Sequence, residues 1–150
     1  MTKEDAKVAD ELRLFRLFLE KLEWASSEEL ISPRRPPEPD VVYSGNSETV
    51  AFEIGRVIER SLARAGKNKE TGSQYQRLSS NCETVLLSKI GKASSYRSDF
   101  PIELILFSGG ALEPDDSIIQ RLKGLAESVD HVGFRRIWYT GEQGVYLIFP

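Results

Sequence analysis

The spacing of apolar residues changes character several times along the chain, and each change marks an element. Over residues 4–25, Val8, Leu12, Phe15, Leu19 and Leu22 recur every three or four positions, and Leu14, Leu17 and Phe18 widen the stripe. That pattern predicts an amphipathic helix. Prolines 33, 36, 37 and 39 fall in residues 32–39; they exclude a helix and predict an extended connector. A short strand is predicted at 40–43, a turn at Ser44-Gly45-Asn46-Ser47 and a second strand at 49–54. In the second strand Val50, Phe52 and Ile54 share one face, and Ala51 and Glu53 share the other. The two strands form a predicted hairpin.

From Gly55 the period becomes helical: Val57, Ile58, Ser61, Leu62 and Ala65 share a face, and Gly66 is a stop. Residues 66–76 are polar and read as loop or loose helix. A further helix is expected over 78–95, with Leu78, Cys82, Val85, Leu86 and Ile90 in the core. Residues 102–107 form the most apolar strand candidate and end at Ser108-Gly109-Gly110. Pro114, Asp115 and Asp116 suit the first turn of a helix whose buried stripe is Ile118, Ile119, Leu122, Leu125 and Val129. Strands at 134–139 and 145–149 flank Gly141-Glu142-Gln143-Gly144, a closing hairpin. The order α β β α α β α β β predicts an α/β fold: a single domain with a central mixed β-sheet flanked by helices.

Composition narrows the setting. At 150 residues the chain suits one core. A single cysteine, Cys82, excludes an intrachain disulfide, and the charged opening MTKEDAKVADE is unlike a secretory signal. No apolar run approaches the roughly 20 residues of a membrane span. These features predict a cytoplasmic protein with no membrane partner. The net charge of -3 hides a basic block: residues 56–97 hold nine basic and three acidic groups. Such a block is either a footprint for a phosphate backbone or a solvated helix face.

Much familiar chemistry is absent. There is no glycine-rich dinucleotide or P-loop motif and no GxSxG elbow. One cysteine and one histidine, His131, cannot form a Cys/His zinc site. His131 follows Asp130 at a helix end, where a surface or capping role is expected, and Cys82 falls on a core stripe. Asp40 and Glu53 stand apart. Asp40 opens a strand directly after a proline, and Glu53 lies between Phe52 and Ile54, where a carboxylate is costly unless paired, exposed or bound to a cation. In a hairpin the two converge near one end of the sheet. Two carboxylates with open coordination positions suit Mg²⁺, which keeps waters and bridges to substrate phosphate. Taken singly, Asp40 also reads as a turn residue and Glu53 as the exposed side of an edge strand.

The runs Pro39-Asp40-Val41-Val42 and Val50-Ala51-Phe52-Glu53-Ile54-Gly55-Arg56 resemble the PD-(D/E)xK nuclease superfamily, and in particular a group of small members of it. Ile90-Gly91-Lys92-Ala93-Ser94-Ser95-Tyr96 is similar to that group's lysine-and-tyrosine helix end. Residues 102–107 match its third strand, and Phe134-Arg135-Arg136-Ile137-Trp138-Tyr139 with 145–150 match its ending. The resemblance covers nearly the whole chain and implies a restriction-endonuclease-like fold and metal-dependent hydrolysis of DNA or RNA. It assigns Mg²⁺ or Mn²⁺ to Asp40 and Glu53, with a glutamate of the first helix, Glu11 or Glu20, as a further ligand. The superfamily's lysine stands two residues after the glutamate, and here that position is Gly55. A lysine must then reach in from elsewhere, Lys92 foremost with Lys89 behind it, or catalysis is lost. Lys92 also reads as a surface residue near a helix end.

Arg56, Arg60 and Arg64, spaced by four, are expected to share a helical face and contact phosphate without reading sequence. Nucleases of this kind often pair to cut two strands, which makes a homodimer an expectation of the resemblance. Gly55 and the acidic overall charge favour the alternative, a catalytically inactive nuclease-like domain that binds protein or nucleic acid.

Overall fold

The computed structural model describes residues 2–57, 71–108 and 113–150, the side chains of the second stretch from Arg77 onward. Helix α1 (Lys3–Lys21) opens with a capping box: Thr2 accepts from the Asp5 N–H, and the Asp5 side chain accepts from the Thr2 N–H. It ends four residues before the predicted 25. Glu23 adopts φ 58°, its N–H donates to Glu20 O, and Trp24 N–H donates to Leu19 O. This is a Schellman closure made with glutamate in the place where glycine is usual, so the sequence carries no stop signal there. It folds Trp24 back onto the helix.

A 3₁₀ turn (Glu28–Leu30) leads into strand β1 (Ile31–Pro33). The proline content concealed this strand. Pro33 is tolerated because β1 lies at the sheet edge. Strands β2 (Val41–Tyr43) and β3 (Val50–Arg56) form the predicted hairpin, with Val41 opposite Phe52, but β3 runs two residues past 54. Gly55 and Arg56 are therefore strand, where a helix was expected. Helix α2 (Thr71–Lys92) includes 71–76, which read as loop or loose helix in the sequence, and passes into a 3₁₀ turn (Ala93–Ser95). Strand β4 (Ile102–Phe107) matches its prediction at both ends. Helix α3 (Asp116–Ser128) is capped by Asp115, whose side chain accepts from the Ile118 N–H at 2.9 Å. Strands β5 (Arg136–Thr140) and β6 (Val145–Phe149) close the sheet.

The sheet order is β1-β2-β3-β4-β5-β6. β3, β4 and β5 are mutually parallel, and the remaining pairs are antiparallel. The fold is thus α/β, with a six-stranded mixed sheet and three α-helices among the described residues. Helix α1 covers one face, where Leu14, Phe15, Phe18 and Leu19 meet Val50, Phe52, Ile54, Ile105 and Phe107. Helices α2 and α3 cover the other, where Leu78, Cys82, Leu86, Ile118 and Leu122 meet Leu104, Leu106, Ile137 and Tyr139. Leu17, which the stripe included, is exposed instead. Cys82 is buried as predicted, with Sγ 3.5 Å from the Tyr139 hydroxyl. His131 is exposed. No helix of the described residues is long and apolar enough to cross a membrane.

Candidate functional site

Strand alternation sends Phe52 and Ile54 toward α1 and Glu53 toward α2. Asp40 lies just before β2, next to the point where β3 outruns its partner. There its Oδ2 accepts the Ile54 N–H at 2.8 Å. This bond fixes Asp40 against β3, one position beyond the pair of Val41 with Phe52. Glu11, on the inner side of α1, is 8% exposed, pairs with Lys7 at 3.8 Å and stands close enough to the Asp40 carboxyl to raise it. Glu11, Asp40 and Glu53 all line one cleft of about 500 Å³.

The electrostatics of these acids share a direction. Burial, the Glu11 contact and the Glu11 charge push the Asp40 pKa up to about 6, against a downward pull from the Ile54 N–H and Lys89. Burial and the Asp40 charge raise Glu53 as well, opposed by Lys89 and Tyr96. The Tyr96 hydroxyl is in turn held well above its ordinary range, by burial first and the Glu53 charge next. At Asp40 and Glu53 burial thus outweighs the compensation that Lys89, Tyr96 and the Ile54 N–H supply, which is the condition a further cation relieves.

Lys89 enters this cluster from α2. Its Nζ lies 2.6 Å from Glu53 Oε2, and the Tyr96 hydroxyl donates to the same oxygen at 3.1 Å. Gly55 explains how the lysine arrives. A Cβ at position 55 would come within 3.1 Å of Val85 Cγ1 and of Leu106 Cδ2, and 3.6 Å from Lys89 Cε. The missing side chain lets α2 lie close over β3. Val85 and Lys89, one turn apart on α2, fill the space above Gly55.

The other predicted site residues are distributed unevenly. Lys92 is exposed and does not line the cleft, so the lysine foremost in the sequence reading gives way to the one behind it. The helix turns Lys89, not Lys92, toward the sheet. Glu20 is exposed and does not line the cleft, so of the two first-helix glutamates Glu11 is the one that does, beside Asp10. Arg56 ends β3 and pairs with Asp10, so it does not begin a helical row. Arg60 and Arg64 lie outside the described residues. Lys3 and Lys7 of α1 line the same cleft. The sequence did not single them out, and only the seating of α1 across the sheet brings them there.

Among the described residues, no three His, Cys, Asp or Glu side chains form a ready-made metal cage. The donors present are Asp40, just before β2, and Glu53 of β3, with Glu11 beside Asp40. Lys89 and Tyr96 both engage Oε2 of Glu53, so neither uses Oε1. This fits an ion of the Mg²⁺ type, held by one or two carboxylates and completed by water and phosphate, better than a cation needing an all-protein shell. No family model, no curated protein and no solved structure matches the chain.

Proposed function

We propose that this protein is a divalent-metal-dependent phosphodiesterase that cleaves DNA or RNA, on a nuclease-like core of the PD-(D/E)xK type. The observation that carries the reading is Lys89. Its ammonium stands at Glu53, in the space over Gly55, where the motif lysine would have been rooted. Asp40 and Glu53 would hold Mg²⁺ or Mn²⁺, with Glu11 supporting Asp40. The bound ion would lower the pKa of its water and offset charge on the phosphoryl group.

The chain's own residues do the rest. Lys89 orients Glu53 and offers N–H donors to a water or a phosphate oxygen beside it. Tyr96 donates to the same Glu53 oxygen and helps fix the carboxylate. Lys3 and Lys7 add positive charge along the cleft for a phosphate backbone, without reading sequence.

The test is calorimetric titration with Mn²⁺, followed by single-turnover cleavage of labelled DNA and RNA. Saturable binding is expected in wild type and is expected to be lost in Asp40→Ala with Glu53→Ala. Lys89→Met is expected to keep metal binding and to slow cleavage roughly 10²–10³-fold. Cleavage by Lys89→Met at the wild-type rate would sink the assignment of the lysine. The Lys89–Glu53 ion pair favours a second reading, because it already neutralises one of the two carboxylates: an inactive nuclease-like binding module. Wild type that neither binds Mn²⁺ nor cleaves would establish that reading over the first.

A further inference from the structure

A second cleft, of about 320 Å³, opens at the other end of α1. Both tryptophans of the protein wall it, Trp24 and Trp138. Their rings meet edge to face at 6.0 Å, and Trp24 lies nearly parallel to Tyr43. Each indole is only partly buried. The floor is Glu103, 1% exposed. Its Oε1 accepts Trp138 Nε1 at 2.8 Å, and its Oε2 accepts Arg135 at 2.9 and 2.5 Å and Arg136 at 3.0 Å. Arg135 is doubly engaged, because Glu48 takes two of its N–H groups at 2.8 and 3.0 Å. Arg136 gives Glu103 one bond and keeps 42% of its side chain exposed. Asn46, in the exposed turn between β2 and β3, stands at the rim.

We infer that this cleft binds an unstacked nucleobase together with its neighbouring phosphate. The identity of that ligand rests on the nucleic-acid reading above. The physical argument comes from the walls. Indole faces supply a stacking surface that any base fits. An amide at the rim can pair with a base edge, and a guanidinium with donors to spare suits a phosphate oxygen. Glu103 holds the Trp138 ring and both guanidinium groups in place before a ligand arrives, so little is left to order on binding. The volume suits one small planar group. The cleft lies roughly 15–20 Å along α1 from Glu11, so a strand anchored there would pass over the helix toward the carboxylates.

The base can belong to a strand or to a free nucleotide, and the test separates the two. Because both tryptophans line the cleft, intrinsic fluorescence reports on it directly. Wild type is titrated in EDTA with a single-stranded ten-nucleotide DNA or RNA, with the matching duplex, and with AMP. Saturable quenching by the single strand, weaker with the duplex, assigns the site to a strand; equal affinity for AMP assigns it to a free nucleotide. Trp24→Leu should weaken binding about 5- to 100-fold. The rim variants Arg136→Ala and Asn46→Ala should also weaken it, with thermal unfolding confirming that all three fold. Absence of saturable quenching in wild type, or unchanged affinity in all three variants, would overturn the inference. Asp40→Ala should bind as wild type does. Loss of cleavage with retained quenching therefore refutes the nuclease reading alone, and cleavage without quenching refutes this one.

Discussion

Two glutamates buried in neighbouring strands, Glu53 of β3 and Glu103 of β4, face opposite sides of the sheet and meet opposite electrostatics. Around Glu103 every charge is answered. Two arginines and an indole N–H converge on one carboxylate, and Glu48 engages Arg135 in turn. Around Glu53 the pairing is partial: Lys7 reaches Glu11 at 3.8 Å and Lys89 reaches Glu53, while burial still raises Asp40 and Glu53. Glu11, Asp40 and Glu53 share a cleft, with Lys89 and Tyr96 on one oxygen of Glu53, and the Asp40 pKa is pushed up to about 6. Buried charge has to be paired, protonated or bound to a cation. The first centre is closed by pairing, which makes it a rigid support. The second is only partly paired, and burial holds Asp40 and Glu53 above the usual carboxylate range.

The contrast can be broken at its satisfied end first. Glu103→Ala leaves Arg136 and the Trp138 N–H without that acceptor, while Arg135 keeps Glu48, and it should cost about 2–4 kcal/mol in denaturant unfolding. A loss below 1 kcal/mol would show that the network contributes little to the fold.

At the other end the sign reverses. Asp40 is raised in the folded state from 3.8 to about 6. The protonated form is therefore favoured by folding, and that stability is present below pH 4 and lost as pH rises through 6. Asp40→Asn keeps an acceptor for the Ile54 N–H and removes the charge. In metal-free buffer it should stabilise the protein by about 1–3 kcal/mol at pH 8, shrinking toward zero near pH 4. A variant less stable than wild type at pH 8 would contradict an uncompensated carboxylate. Mn²⁺ should raise the melting temperature of wild type at pH 8 and leave Asp40→Asn nearly unmoved.

The smallest effect provides a control away from both centres. Asp115→Ala removes the cap of α3 and should cost about 1 kcal/mol at every pH above the carboxylate range.

The local signals in the chain read differently according to how far they reach. Capping and period are local, so Asp115 marked the start of α3, and the apolar run at 102–107 gave β4 to the residue. The same logic found Glu53, an acid in an apolar strand, and it applied equally to Glu103 between Ile102 and Leu104. Glu103 was passed over because nothing beside it in sequence suggested a partner. Its arginines arrive from the first residue of β5 and the residue before it, 33 and 32 positions away. Edge strand β1 was hidden because proline argues against strands in general and only sheet position makes it acceptable. The end of α1 was misjudged because glutamate took the left-handed residue usually given to glycine.

The sequence by itself determined the kinds of element, most of their order and the pair Asp40 and Glu53, because period, capping and a misplaced charge are properties of neighbouring residues. Which lysine reaches Glu53 was decided only by tertiary structure. On paper Lys92 stands foremost and Lys89 behind it. The close seating of α2 over Gly55 turns one toward Glu53 and the other to solvent, and that choice depends on a contact between segments more than thirty residues apart.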